Sequence, residues 1–412
     1  MTRESAMPSP RRVAVTGLGV LGPCGIGRDG YWAGLLAPQP EGERRVPGFD
    51  PTPYFANPKE VRRTDKFTRL ALAAAFEALA HAGLASDPAG RDETPVVPGD
   101  PERAGVVLGT GIGGLETLEE QILVHHEKGA RRVSPFLVPM MMANAGAAAI
   151  SMRYGLRGPC ETTVTACAAS THAIGNAFRL VSTGRCDMVV AGGSEASMTP
   201  VSVAGFANMT ALSSSGMSRP FDPRRDGFVM AEGAAVLVLE ELSAAVARGA
   251  HIIGELLGAA STADAHHITA PAPGGSGAVS CMELALADAG LSPGDVAQIN
   301  AHGTSTPLND AAEAEAIVKV FGTPGPPVTS TKGVTGHALG AAGALEAAAV
   351  LLSIEHQAIP PTAGTEARDP ELPAIDLVVG EPRPWAPGPT LSNSFGFGGH
   401  NGCILIGPPP AA

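Results

Sequence analysis

The segment Val164-Thr-Ala-Cys-Ala-Ala-Ser170 joins two stretches of different periodicity. The segment overlaps at its start with Thr162-Thr-Val-Thr165, which has the composition of a buried strand. From Ala168 to Thr183, alanine, isoleucine, phenylalanine and leucine recur at helical spacing. The pattern predicts a strand that passes directly into a helix, with Cys167 at the start of that helix. Helix amides and the positive end of the helix dipole stabilise a thiolate there, so Cys167 is a candidate nucleophile. A buried structural cysteine is the alternative interpretation.

Two histidines far downstream lie in turns rich in glycine and threonine. His302, in Asn300-Ala-His-Gly-Thr-Ser-Thr-Pro307, follows the apolar run Val296 to Ile299, so it is expected where a strand ends. His337, in Thr335-Gly-His-Ala-Leu-Gly340, precedes a long alanine-rich stretch. Catalytic groups favour such loops. One histidine alone would be interpreted as a core residue, but two of them together with Cys167 predict a thiol-dependent active site.

These motifs resemble the β-ketoacyl-acyl carrier protein synthases of the thiolase superfamily, most closely the elongating type II enzymes. The resemblance covers nearly the whole chain. The segments that carry it are Val13-Ala-Val-Thr-Gly-Leu-Gly19, Gly109-Thr-Gly-Ile-Gly-Gly114, Thr165-Ala-Cys-Ala-Ala169, Arg219-Pro-Phe-Asp222, Arg225-Asp-Gly-Phe228, His302-Gly-Thr-Ser-Thr-Pro307, Lys332 with Gly336-His337, and Asn393-Ser-Phe-Gly-Phe-Gly-Gly399. It implies a thiolase-like α/β fold in which two similar βαβαβ halves form five α-β-α-β-α layers. The nucleophile belongs to residues 1–255 and both histidines to residues 256–412.

The same resemblance implies a decarboxylating condensing enzyme, an acyltransferase that lengthens fatty acyl chains and needs no cofactor. Cys167 takes the acyl group, while His302 and His337 act as neutral N–H donors to the enolate formed from malonyl-acyl carrier protein. The backbone N–H groups of Cys167 and Phe397 are expected to receive the tetrahedral oxyanion.

Two charged residues are expected to support this site. Lys332 is implied to hold its electrostatics, and Glu313, on a helix predicted from Asp310 to Val320, to orient it. A solvated lysine and a solvent-facing glutamate are the alternative interpretations.

Six further residues are candidates for substrate binding. Thr304 and Thr306 alternate on one side of an extended segment, where both hydroxyls could bind a polar, amide-bearing arm, which in the family is phosphopantetheine. The resemblance places Ile112 and Phe206 in the acyl pocket, although an apolar residue is a core residue by default. It also places the loop that carries His267 and Thr269 near the substrate entrance.

Three motifs could mislead. Gly17-Leu-Gly-Val-Leu-Gly22 satisfies the dinucleotide fingerprint, but Ala37 to Arg45, where a second strand should end in an acidic residue, is a predicted loop. The glycines are therefore interpreted as tight packing of the first strand. The adjacent pairs His125-His126 and His266-His267 lack a supporting cysteine or carboxylate cluster, so no metal is expected. Cys403, inside an apolar run, is interpreted as a buried strand residue.

Composition indicates a two-part intracellular protein. A chain of 412 residues exceeds what one simple core usually organises. Six cysteines without C-x-x-C spacing argue against a disulfide framework or a zinc site. Because no signal region and no run of about 18 apolar residues is found, a cytoplasmic location without a membrane span is expected. The net charge of −12 argues against binding to nucleic acid.

An acidic partner is nevertheless implied, because acyl carrier proteins are themselves acidic and require a local basic patch. Lys59, Arg62, Arg63, Lys66 and Arg69 recur at offsets that predict one helical face. A solvated face is the usual interpretation of such a run. The family uses this region for docking, so Arg62, Arg63 and Lys66 are predicted to bind the carrier protein.

Alternating strand and helix patterns support the α/β class. Strands are predicted at Val13 to Thr16, Ala104 to Leu108, Met188 to Ala191, Val236 to Leu239, Val296 to Ile299, Val328 to Ser330 and Cys403 to Ile406. Helices are predicted at Thr68 to Ala82, Ala168 to Thr183, Ala278 to Ala289 and Leu339 to Ile354, and surface loops at Asp87 to Arg103, Thr323 to Pro327 and Ala363 to Pro373.

A homodimeric fatty-acid enzyme is the favoured interpretation, and three alternatives remain. The chain could be the ketosynthase of a type II polyketide pathway working with a chain-length partner, since His400 stands where a threonine is common in fatty-acid enzymes. It could be a noncatalytic subunit, although the presence of Cys167, His302 and His337 argues against this. A nicotinamide oxidoreductase would have to use the Gly17 motif.

Overall fold

The computed structural model describes residues 10–90 and 96–410. In the first half of the chain the strands are β1 (Val13–Gly22), β2 (Gly25–Ile26), β3 (Ala104–Gly109), β4 (Cys160–Thr163), β5 (Met188–Glu195) and β6 (Gly233–Glu241). In the second half they are β7 (Gly254–Ala263), β8 (Gln298–Asn300), β9 (Pro327–Thr329), β10 (Ala358–Ile359), β11 (Asp376–Leu377), β12 (Arg383–Pro384), β13 (Thr390–Gly396) and β14 (His400–Gly407).

The two halves repeat one strand order. Side by side, the first half runs β1-β6-β5-β3-β4 and the second runs β7-β14-β13-β8-β9. Apart from the two-residue strands, each half therefore follows the order first, fifth, fourth, second, third. In both, the second strand is parallel to the third and fourth, and the fifth is antiparallel to the fourth and first. Antiparallel pairing of β1 with β7 joins the halves.

Helices form three layers around these strands. They are α1 (Gly27–Leu35), α2 (Pro58–Val61), α3 (Lys66–His81), α4 (Leu115–Lys128), α5 (Leu137–Met141), α6 (Ala145–Tyr154), α7 (Ala169–Ser182), α8 (Pro200–Asn208), α9 (Leu242–Ala247), α10 (Ser276–Ala289), α11 (Pro307–Phe321), α12 (Lys332–Thr335) and α13 (Ala342–His356). Helices α7 and α13 contact strands of both halves, whereas α3 packs on β1 and β6, and α10 on β7 and β14. The predicted five-layered α/β fold is therefore confirmed.

The central layer corrects the expectation that no segment has the character of a membrane span. Leu339–His356 is long and apolar enough to cross a membrane, with a mean hydropathy of 1.3, but 89% of it is buried inside the protein. Its alanines allow close packing between the two sets of strands. The segment is a core helix.

The glycines near the N-terminus bring β1 against helix α3. A Cβ atom on Gly17 would lie 2.2 Å from the carbonyl oxygen of Ala78, and one on Gly19 would lie 2.1 Å from that of Ala74. Only glycine permits this approach, so the interpretation of the dinucleotide-like motif as tight packing is confirmed.

Several predicted boundaries were wrong. The strand expected at Thr162 to Thr165 is β4, which is half exposed because among the described strands it pairs with β3 alone. Strand β8 begins only at Gln298, because Val296 closes the 3₁₀ turn Pro293–Asp295, its N–H donating to the oxygen of Pro293 at 3.3 Å. The predicted loop from Asp87 to Arg103 lies partly outside the described residues.

The basic run does not form one helix. Helix α2 ends at Val61, and α3 begins at Lys66, where the Asp65 carboxylate caps it by accepting from the N–H of Phe67 at 3.1 Å. The predicted continuous helical face from Lys59 to Arg69 was therefore wrong.

Candidate active site

Cys167 lies in a strained turn that feeds into a helix. The 3₁₀ turn Ala166–Ala168 leads directly into α7, and Ala166 has a positive φ of 49°. A Cβ atom on Gly396 would lie only 3.0 Å from the carbonyl oxygen of Thr165 and 3.1 Å from the nitrogen of Cys167, so the start of the turn packs against bare backbone. The predicted position of Cys167 at the helix start is confirmed.

The expectation of a thiolate at this position was wrong. Burial raises the pKa of the Cys167 thiol to about 11, although the Lys332 charge and the backbone N–H groups of Phe397 and Cys167 lower it. Only 7% of the residue is exposed, so loss of hydration outweighs the helix start. At neutral pH Cys167 is a thiol and needs a proton acceptor before it can attack.

His337 is placed to be that acceptor. Its Nε2 lies 3.0 Å from Sγ of Cys167, and its ring packs edge-to-face against Phe228 and His302 at centroid distances of 5.2 and 5.3 Å. Nδ1 of His337 has no hydrogen-bond partner among the described residues. Either tautomer is therefore open to this ring.

A buried lysine controls the tautomer of His302. Nζ of Lys332 donates to Nδ1 of His302 at 3.3 Å, to the backbone oxygen of the same residue at 2.6 Å, and to the carboxylate of Glu346. Because an ammonium only donates, Nδ1 accepts and the ring proton is on Nε2. Lys332 is 1% exposed, which excludes a solvated lysine.

Burial and the Lys332 charge keep both rings neutral. The pKa values of His302 and His337 are lowered well below the ordinary value, first by burial and then by Lys332. A neutral imidazole can donate its N–H to an anion in a hydrogen bond and still keep its proton. The two rings therefore suit the stabilisation of negative charge.

Glu313 fixes the loop that carries His302. Its carboxylate accepts from the backbone N–H groups of His302 at 2.8 Å and Gly303 at 2.7 Å, and from the side chain of Asn393 at 3.3 Å. Burial raises the pKa of Glu313 to about 7. The alternative of a solvent-facing Glu313 is therefore excluded.

Cys403, which donates to Asn393 at 3.2 Å, is the buried strand residue that was predicted.

The three central residues have a spacing that a metal could bridge. One ligand atom each from Cys167, His302 and His337 lies within 4.8 Å of the others. A metal-bound imidazole presents an unprotonated nitrogen, yet Lys332 occupies Nδ1 of His302 and leaves the proton on the nitrogen that remains. The donor set favours N–H donation over metal binding.

A cavity of about 430 Å³ opens onto Cys167 and brings together most of the predicted substrate residues. Its lining includes Ile112, Phe206, Thr269, Thr304, Thr306 and Phe397. The hydroxyls of Thr304 and Thr306 are 2.9 Å apart, but the predicted extended segment was wrong, because Ser305 between them has a positive φ of 69° and a turn brings the two hydroxyls together. His267 does not line it; its Nδ1 accepts from the backbone N–H groups of Thr269 and Ala270, both at 3.1 Å.

Two buried glutamates that contact the site were missed. Glu195, at the end of β5, accepts from the N–H groups of Gly111 at 2.6 Å and Gly340 at 3.1 Å, and burial raises its pKa to about 7. Glu346 pairs with Lys332. For Glu346, the available signal was a glutamate within the otherwise apolar stretch from Ala342 to Leu352 of α13. For Glu195, the only available signal was its place at the end of the buried run that begins at Met188.

The predicted docking residues lie apart from this cavity lining. Arg62 and Arg63 are exposed, and the guanidinium of Arg63 lies 4.5 Å from the ring centre of Phe136. Lys66 instead pairs with the buried carboxylate of Glu232 at 2.7 Å. His400 opens β14 and pairs with Ala263 in the register of the sheet.

Comparisons with known proteins agree with this geometry. Residues 41–245 match the family described as "Beta-ketoacyl synthase, N-terminal domain", and residues 253–366 match "Beta-ketoacyl synthase, C-terminal domain". The chain is 45% identical to a 3-oxoacyl-[acyl-carrier-protein] synthase 2 of Synechocystis sp., over 95% of this chain and 96% of that protein. It is 41% identical to the protein of the same name in Staphylococcus aureus, over 97% of this chain and 99% of that protein.

A solved structure described as the ishigamide ketosynthase/chain length factor shares the fold. It superposes with a TM-score of 0.87 at 33% identity, covering 98% of this chain and 100% of that chain. With both halves matched and a Cys-His-His site in the cavity, the chain belongs to the β-ketoacyl synthase family.

Proposed function

We propose that this protein is an elongating 3-oxoacyl-[acyl-carrier-protein] synthase, which joins an acyl chain held on Cys167 to the two-carbon unit of malonyl-acyl carrier protein. The observation that carries the proposal is a buried thiol 3.0 Å from His337, with a second neutral imidazole beside it held by Lys332. The names of the two 3-oxoacyl synthases support the choice of substrates.

Acyl transfer to the enzyme uses His337 as the proton carrier. Sγ of Cys167 attacks the carbonyl carbon of the acyl thioester while its proton moves to Nε2 of His337. The bond to the carrier arm breaks, and the departing thiolate takes that proton. Phe206 and Ile112, which line the cavity with Cys167, offer the chain an apolar wall.

Condensation uses both imidazoles as donors. The carboxylate of the malonyl group leaves as carbon dioxide, and the electron pair of the broken bond forms an enolate. Its oxygen accepts from Nε2–H of His302 and, once His337 has moved its ring proton from the unpartnered Nδ1 to Nε2, from Nε2–H of His337. The enolate carbon attacks the acyl carbon on Cys167. The resulting oxyanion accepts from the N–H groups of Cys167 and Phe397. The carbonyl then re-forms as the bond to Sγ breaks, and the released thiolate of Cys167 takes up one proton from water to restore the thiol.

Carrier docking, assembly and location complete the proposal. Arg62 and Arg63 supply exposed positive charge for an acidic carrier protein, while Lys66 beside them is already paired with Glu232. A homodimer would cover the open edge of β4 and exposed apolar side chains such as Val164, Val201 and Ile122. The halves at residues 1–255 and 256–412 would carry the nucleophile and the imidazoles, respectively, in a cytoplasmic enzyme. Light scattering at twice the mass of the chain would support the dimer, and a monomer would contradict it.

The ketosynthase of a polyketide pathway is the second candidate, favoured by the likeness to the ishigamide ketosynthase. Incubation of the purified chain with acyl-carrier and malonyl-carrier substrates separates the two. A fatty-acid enzyme forms the 3-oxoacyl product without a second protein. Turnover that requires a chain-length partner would favour the polyketide role, and no product with either substrate set would contradict both.

A further inference from the structure

His172 connects two loops of the site that are remote in sequence. Its Nδ1 lies 2.8 Å from the hydroxyl of Thr165, and its Nε2 lies 2.9 Å from the backbone oxygen of Asn401. A carbonyl oxygen only accepts, so Nε2 carries the proton and Nδ1 accepts from the Thr165 hydroxyl. Both nitrogens of a neutral imidazole are therefore engaged.

The surroundings of His172 hold the ring in this state. Burial lowers the pKa of His172, and the neighbouring His400 and Arg179 lower it further. A Cβ atom on Gly402 would lie 2.8 Å from Cδ2 of the ring, so the imidazole packs directly on the backbone of β14. One orientation and one tautomer are thereby selected.

At one end, the ring holds the start of the turn that presents the nucleophile. The backbone oxygen of Thr165 accepts from the N–H of Ala168 at 3.1 Å. Between these residues, Ala166 has its positive φ of 49°. A non-glycine residue in that conformation is strained, so the surrounding contacts must hold it. The N–H of Cys167, one of the two proposed oxyanion donors, is part of this turn.

At the other end, the ring reaches the mouth of the cavity. Asn401 donates through Nδ2 to the carboxylate of Asp264 at 2.8 Å. That carboxylate accepts from the N–H of Ala272 at 3.0 Å, and the N–H of Asp264 donates to Gly399 at 2.9 Å. Asp264, Gly399 and Asn401 all line the cavity. The path is continuous from the nucleophile turn to the loop at residues 264–272.

We propose that His172 is a positioning residue that couples the strained turn at Cys167 to the loop at residues 264–272. The inference rests on the proposed function, because the amide that it orients is the one assigned to the oxyanion. Through this coupling, the order of the loop at residues 264–272 and the direction of the Cys167 N–H depend on each other.

The test measures alkylation of Cys167 by iodoacetamide against pH, followed at that residue by peptide mass spectrometry, so no carrier substrate is needed. The Cys167 amide favours the thiolate, so loss of its alignment in His172→Leu or Thr165→Val should slow alkylation at pH 8 about fivefold, equivalent to ~1 kcal/mol. The double variant should lose no more than either single variant. His172→Asn, which keeps an acceptor for Thr165, should recover part of the rate.

A second set of variants tests the loop at residues 264–272. Asp264→Ala should slow alkylation in the wild-type background and have no further effect in His172→Leu. Thr183→Val, at the far end of the same helix, is the matched control and should leave the profile unchanged. Additive effects, or a wild-type profile in His172→Leu, would overturn the coupling. Coupled profiles in a protein that forms no 3-oxoacyl product would instead overturn the proposed function alone.

Discussion

Nζ of Lys332 lies 3.3 Å from Nδ1 of His302 and 2.6 Å from the backbone oxygen of the same residue, so one buried ammonium sets both the tautomer and the position of that ring. The same charge lowers the pKa of His302 and of His337. Lys332 therefore keeps both imidazoles neutral. It also holds the ring proton of His302 on Nε2, the nitrogen that faces away from the lysine.

The first prediction concerns the buried pair of Lys332 and Glu346. Lys332→Met leaves a carboxylate buried without its partner, which should lower the free energy of unfolding by ~3–5 kcal/mol. The double variant Lys332→Met/Glu346→Leu should recover most of that loss, as measured by urea denaturation. Lys319→Met, which removes an exposed cation 3.8 Å from Glu315, is the control and should cost under ~1 kcal/mol. Equal losses in Lys332→Met and the control would contradict the account.

The second prediction concerns pH. In a Cys167→Gln background, decarboxylation of malonyl-carrier protein depends on neutral His302 and His337, whose pKa values lie well below 6.5. Carbon dioxide release should therefore stay constant from pH 8 to below pH 6.5. Without the lysine charge, in Lys332→Met/Glu346→Leu, the pKa of both rings rises. The fall in carbon dioxide release on acidification should therefore occur at higher pH. An unchanged profile in that variant would show that Lys332 does not tune the rings.

The strand order shows what sequence patterns could and could not predict. Periodicity identified β1, β3, β5, β6, β9 and β14 and the helices α3, α7, α10 and α13, because those patterns are local, but it missed the buried strands β7 and β13 and the 14-residue helix α4. The repeated order of the two halves could not be read in this way, since pairing between strands such as β1 and β7 joins residues far apart in the chain. The exposure of β4 was missed for the same reason: whether a strand lies at an edge depends on its neighbours in space.

The same contrast between local patterns and long-range contacts applies to the site. Motifs brought Cys167, His302, His337, Lys332 and Phe397 into one prediction, and all five lie at the cavity or directly behind it. The state of Cys167 was predicted wrongly because its burial comes from segments beyond its own helix. The basic stripe failed because Asp65 starts a new helix within it.

The third prediction concerns carrier docking. Arg62→Glu/Arg63→Glu places negative charge where an acidic carrier protein is proposed to bind, so KM for malonyl-carrier protein should rise about tenfold or more. Turnover of malonyl-pantetheine, which lacks the protein, should not change. Arg185→Glu, an exposed arginine after α7, is the matched control. If both charge reversals raise KM equally, this surface is not the docking site.

The fourth prediction concerns the close approach of β1 and α3. Gly17→Ala forces a Cβ to within 2.2 Å of the Ala78 carbonyl oxygen, so the free energy of unfolding should fall by about 3 kcal/mol or more. Gly99→Ala, where a Cβ would meet no atom within 4 Å, should leave stability nearly unchanged. Thermal and urea unfolding check both. A wild-type stability for Gly17→Ala would mean that the glycine is not there for packing.

The central claim is that Cys167 carries the acyl chain, and peptide mass spectrometry after incubation with acyl-carrier protein tests it most directly. The account predicts one adduct, with the mass of the acyl group, on Cys167. That adduct should vanish in Cys167→Ala, while the exposed Cys160 should stay unmodified in both proteins. An acyl adduct that persists in Cys167→Ala, or one found on Cys160 in place of Cys167, would contradict the account.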